Sequence, residues 1–158
     1  MRINTSSSNR LAIRGYRLMD RLHRSGTSLG EWAAWKVCRI NRLLSGVEIE
    51  PGARIGDDLH IHHGQGIVIG RGAVIGRGCH LLHEVTLGKG ENTGDSEVGL
   101  WPTIGDDVEI YAGAKLIGGI HVGDRAVIGA NAMVRKDVPP GAVVVAPQAI
   151  ELETSRPA

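Results

Sequence analysis

Residues 104–134 read IGDDVEIYAGAKLIGGIHVGDRAVIGANAMV, and in them a branched aliphatic residue returns at every sixth position: Ile104, Ile110, Leu116, Val122, Ile128 and Val134. Four places after each stands a small or apolar residue: Val108, Ala114, Ile120, Ala126, Ala132 and Val138. A period of six fits neither a helix, whose stripes recur near 3.6 residues, nor a flat strand, whose faces alternate at about two. What remains is a chain of short strands joined by tight corners, in which each unit buries its apolar face only by stacking on the next.

The same spacing extends upstream. Leu43/Val47, Ile49/Ala53, Ile55/Leu59 and Ile61 form one frame; after a slip of two residues it resumes as Ile69/Ala73, Ile75/Cys79, Leu81/Val85 and Leu87. Between Leu87 and Ile104 the period is broken by GKGENTGDSEVGLWPT, residues 88–103. Such a loop leaving a rigid scaffold is where binding groups concentrate. Pro139-Pro140-Gly141 ends the regular repeat, and AVVVAP, residues 142–147, follows as a last apolar strand. The fourteen returns predict a mainly β protein with a parallel β-helix over residues 46–150.

Ahead of the repeat the period becomes helical. From Arg10 to Arg24, Leu11, Ala12, Leu18, Met19 and Leu22 share one arc, and Arg10, Arg14, Arg17, Arg21 and Arg24 share the opposite one. The Arg face suits solvent beside an oligomer contact, or an anionic lipid surface. Ser25-Gly26-Thr27 breaks this helix, and Ser28 with Glu31 reads as a capping box for a second. The second presents Leu29, Trp32, Ala33, Val37, Ile40 and Leu44 on one side and stops at Ser45-Gly46; Trp32 and Trp35 are expected to pack on the solenoid end. Residues 1–45 are thus two short α-helices, and the polar residues 151–158 a flexible tail.

The composition fits a narrow aliphatic core: Phe is absent among 158 residues, and the aromatics are three Trp and two Tyr. A formal charge of +1 gives no basis for nucleic-acid binding by bulk electrostatics. Cys38 and Cys79 sit inside apolar patterns without metal or redox spacing and read as buried free thiols. With no signal-peptide core and no run of eighteen apolar residues, a cytoplasmic location is expected.

The candidate chemistry is histidine. Six of seven lie in the repeat: His60, His62, His63, His80, His83 and His121. His63 stands out because it lies in His62-His63-Gly64-Gln65-Gly66, at the slip in the frame, where a Gly-rich irregularity can turn a side chain into a cleft. Three sextets make a coil of about eighteen residues. Glu48, fifteen positions before His63, is then expected one coil below, and His83, twenty after it, one coil above. A carboxylate beside an imidazole fixes its tautomer and stabilises the imidazolium, leaving the other nitrogen to take a proton.

At this point a resemblance becomes specific. VEIEPGARIG (47–56), HHGQGIVIG (62–70), VTLGKG (85–90), WPTIG (101–105) and AVIGANAMVRKDVPPGAV (126–143) occur in the order of the hexapeptide acyltransferases, and within them resemble the serine acetyltransferase group. The resemblance implies a left-handed coil, a homotrimer, and acetyl-CoA in the groove between neighbours. On it, His63 is the catalytic base, Glu48 its acidic partner and His83 a second base or acceptor ligand. Ala112, Gly113 and Ala130 would meet the cofactor, with Arg135 and Lys136 near its phosphates. His62, where the family has Asp, and Trp101, where it has the His of a His-Pro pair, fall against the acceptor.

Those two departures, the short helical start and the His before Val-Thr-Leu-Gly resemble instead the colanic-acid and other exopolysaccharide O-acetyltransferases, implying a sugar or glycan hydroxyl as acceptor. The alternative is a serine O-acetyltransferase of cysteine biosynthesis. Two other classes share the fold: a γ-carbonic-anhydrase-like protein, with three imidazoles on a metal, and a non-catalytic trimeric scaffold. The histidine spacings here differ from the former, so no metal is expected.

Overall fold

In the computed structural model, residues 7–91 and 100–148 are described, with side chains from residue 10. Half of the expected 88–103 loop, residues 92–99, and all of the expected 151–158 tail lie outside them. Two helices, α1 (Ser7–His23) and α2 (Ser28–Ser45), precede fourteen short strands, β1 to β14 in chain order. The strands build a parallel solenoid of three sheets. The first holds β1 (Val47–Ile49), β4 (Ile67–Ile69), β7 (Thr86–Gly88), β10 (Lys115–Ile117) and β13 (Met133–Val134). The second holds β2 (Arg54–Ile55), β5 (Val74–Ile75), β8 (Thr103–Ile104) and β11 (His121–Val122). The third holds β3 (His60–Ile61), β6 (His80–Leu81), β9 (Glu109–Ile110), β12 (Val127–Ile128) and β14 (Val143–Val144).

Register makes the core. Ile49, Ile69, Leu87, Leu116 and Val134 stack in one column; Ile55, Ile75, Ile104 and Val122 in a second; Ile61, Leu81, Ile110, Ile128 and Val144 in a third. All but Val144 are buried. Thirteen of the fourteen sextet returns are these column residues. Leu43 is the exception: it belongs to α2 and is 84% exposed. The fourteenth strand is instead the expected apolar strand after Gly141.

The first coil has no coil beneath it, so its backbone groups need other partners. The helices supply them. The Tyr16 hydroxyl donates to Ala53 O (3.2 Å) and accepts from Ile55 N (3.1 Å). Arg17 donates to Ile55 O (3.0 Å) and Gly56 O (2.8 Å) and pairs with Asp57. The Cys38 thiol reaches Ile49 O at 3.2 Å, and both cysteines are buried and free, as expected. Part of the expected Arg face is therefore a cap on the solenoid.

The helix faces also differ from expectation. On α1, Ala12, Tyr16 and Met19 are buried, while Leu11 and Leu18 are exposed. On α2 the buried side is Gly30, Ala34, Cys38, Asn41 and Ser45, and Leu29, Trp32, Ile40 and Leu44 point outward. Small residues win this seam because the helices cross closely: a Cβ at Gly15 would stand 2.5 Å from Asn41 Oδ1. The N-cap of α2 is Thr27, accepting from Gly30 N, one residue before the expected Ser28.

Replacing Tyr16 with Phe strands a buried donor and acceptor, so Tyr16→Phe is expected to lower unfolding stability by about 1–3 kcal/mol. A urea midpoint equal to that of the parent would contradict the capping role.

Candidate active site

The two-residue slip forms a projecting corner between β3 and β4. His63 adopts φ +54° and Gly66 φ +70°, and Gln65 N donates to His63 O at 2.7 Å. The C-terminus of α2 anchors this corner. Gly46 caps the helix in the left-handed conformation, donating to Arg42 O, while its own carbonyl accepts from Gly66 N at 3.0 Å. A Cβ at Gly46 would lie 3.2 Å from Gln65 Cα.

The corner splits the histidine pair. His63 is exposed and faces His83, with ring centroids 6.3 Å apart edge to face. Both line a cleft of about 870 Å³ together with Leu43, Leu44, Gln65 and Glu84. His83 Nδ1 is buried with no hydrogen-bond partner among the described residues. His62 turns the other way: it is buried, and its Nε2 lies 3.1 Å from His80 Nδ1 in a stack with His80 and His60. It does not line the cleft that His63 and His83 share.

The same edge continues along the solenoid. Glu84 N donates to Gln65 O, Gly113 N to His83 O, and Asn131 N to Ala112 O. His63, His83, Ala112–Gly113 and Ala130 thus climb one edge. Arg135 and Lys136 follow β13 and stand on the next edge, across the first sheet. Glu48 is not joined to His63 by a hydrogen bond among the described residues; its carboxylate pairs with Arg42 at 3.0 Å. The coil above Glu48 is twenty residues long because of the slip, and its partner in register is Val68.

Trp101 also stands on that next edge, seated on two glycines: a Cβ at Gly70 or Gly72 would come within 1.9 or 2.1 Å of its ring. It borders a second cleft of about 780 Å³ with Trp35, Arg54, Arg71, His23 and His121. Trp35 therefore leans toward the solenoid as expected, whereas Trp32 does not. The contribution of Trp35 and Arg54 to a cleft was not legible, since only the fold brings a residue of α2 and one of β2 to the same cleft. Among the described residues no three His, Cys, Asp or Glu side chains are gathered to hold a metal ion.

The bacterial transferase hexapeptide (six repeats) family matches residues 102–136. A Helicobacter pylori serine acetyltransferase is 40% identical over 145 residues, covering 92% of this chain and 81% of that protein. The chain belongs to the serine acetyltransferase family. It is an acyltransferase of the hexapeptide-repeat class. The Neisseria gonorrhoeae serine acetyltransferase solved in complex with serine superposes with a TM-score of 0.79 at 38% identity, over 91% of this chain and 56% of that one. A serine acetyltransferase in complex with CoA superposes with a TM-score of 0.79 at 34% identity, over 89% and 55%. The chain thus spans most of the Helicobacter family member but little more than half of these two solved members.

The buried histidine stack makes stability depend on pH. Burial, then repulsion from neighbouring imidazoles, pushes His62 and His80 below the ordinary histidine value, with Glu109 and Asp107 opposing this in part at His80. An unfolded histidine titrates near ~6.5, so below that pH the unfolded chain takes up protons that the native stack resists, and stability falls as pH drops. Urea midpoints from pH 7.5 down to 5 are expected to fall more steeply for the parent than for a His62→Gln/His80→Gln variant. Equal slopes would contradict this.

Proposed function

We propose that the protein is an acetyl-CoA-dependent O-acetyltransferase acting on the hydroxyl of serine. The observation that carries this is the match to the Helicobacter serine acetyltransferase over 145 residues, a span that includes both clefts. The sugar acceptor suggested by the motifs finds no support in the Helicobacter and Neisseria family members, which bear the serine acetyltransferase name. The CoA complex of a family member supports acetyl-CoA as co-substrate.

The chemistry follows from the His63 cleft. A neutral hydroxyl is a poor nucleophile, so His63 takes its proton as the oxygen attacks the thioester carbonyl. The C–O bond forms, the C–S bond breaks, and the proton passes to the departing CoA sulfur. His83, with its unpartnered Nδ1, is a donor or acceptor for the acceptor molecule. Glu48 is assigned as the carboxylate that balances the imidazolium. The half-sites sit on two edges of one chain, so we place the working site between copies in a homotrimer. There the His63 edge of one copy meets the Trp101 edge of the next, and Arg135 and Lys136 face CoA phosphates.

One observation favours a second reading. The Trp35 and Trp101 indoles share a cleft with Arg54 and His121, which suits a ring-bearing acceptor such as a sugar better than serine. Thiol release from acetyl-CoA, run in parallel with L-serine and a panel of sugars, separates the two. Turnover with serine and none with sugars is expected. Turnover confined to sugars, and lost in Trp101→Ala, would transfer the acceptor to the indole cleft.

A further inference from the structure

Helix α2 carries six of the thirteen exposed large apolar side chains among the described residues. Leu29 is 74% exposed, Trp32 61% and Ile40 56%, and helical spacing puts them opposite the small buried residues. Contiguous exposed apolar surface of this kind marks an interaction site. Cations lie within it: Lys36 Nζ sits 5.3 Å from the Trp32 ring centroid, and Arg39 is exposed on the flank. Residues 7–45 carry eight Lys and Arg against two carboxylates, Asp20 and Glu31, a net of +6 in a chain of net +1. The solenoid side is correspondingly acidic.

We propose that this face of α2 lies on an anionic lipid surface. An apolar stripe with interleaved cations is the pattern of a helix that rests in the plane of a bilayer interface, its apolar side among the acyl chains and its cations at the phosphates. The charge asymmetry orients the molecule, drawing the helical end to the lipid and turning the acidic solenoid away. No described helix is long and apolar enough to cross a membrane, so α2 rests on the surface and does not span it. A second copy is a poorer occupant, since packing α2 on α2 would press Lys36 and Arg39 of both copies together. Of the Arg arc of α1, Arg17 is held by the first coil and Arg24 by Asp20, which leaves Arg10, Arg14 and Arg21 exposed on α1.

The test is flotation of the full chain with phosphatidylglycerol-containing or pure phosphatidylcholine vesicles. Light scattering gives the oligomeric mass and thiol release the basal activity. The parent is expected to float with anionic vesicles and to be released by salt. Leu29→Ser/Ile40→Ser and, separately, Lys36→Glu/Arg39→Glu are expected to weaken binding roughly tenfold or more while leaving mass and thiol release unchanged. Absence of parent binding, or binding that both variants retain, would overturn the proposal. So would a drop in oligomeric mass in Leu29→Ser/Ile40→Ser, which would assign the face to another copy.

Discussion

In-register stacking of aliphatic side chains from coil to coil is the constraint on which the rest depends. A strand of two or three residues cannot hold its conformation alone; each is fixed because its backbone pairs above and below and its inward side chain extends a column. The regular coil is eighteen residues, as Glu109 to Val127 and Lys115 to Met133 show. A departure from eighteen must be expelled from the core, since the columns do not shift. The two extra residues fall in the projecting corner that holds His63, and eleven more fall between Leu87 and Ile104, a stretch that lies partly outside the described residues. The His63 cleft is a product of interrupted periodicity on a core that is not interrupted.

That is why the repeat was legible and much of the site was not. Ile49 through Val134 could be placed by counting, because each sextet return must enter a column. Counting was less exact where the count changed: Glu48 lies in the coil beneath the His63 corner, two residues after Gly46, whose carbonyl accepts from Gly66, but the slip makes that coil twenty residues and puts Glu48 in register with Val68. Leu43 kept the phase of the repeat while belonging to α2. His62 and His63 are adjacent and chemically identical, and only the positive φ at His63 sends one into the stack and the other into the cleft.

The helices misled for a different reason. Large apolar residues are ordinarily assigned inward, and on α2 they point outward because Gly30, Ala34 and Cys38 permit a close approach that Leu or Trp would prevent. Tyr16 escaped notice for its apolar arc but closes the exposed end of the first coil. Both cases turn on what the seam and the coil edge require of a side chain, not on hydropathy.

The central claim is that the corner made by the slip holds the base for acyl transfer. It is tested most directly by turnover of acetyl-CoA in His63→Ala and His83→Ala, each checked for intact secondary structure and unchanged assembly. The account predicts a loss of roughly 10² to 10⁴ in kcat for His63→Ala, the usual worth of a general base, and a smaller loss for His83→Ala. Near-parental turnover in His63→Ala would contradict it and put the base elsewhere.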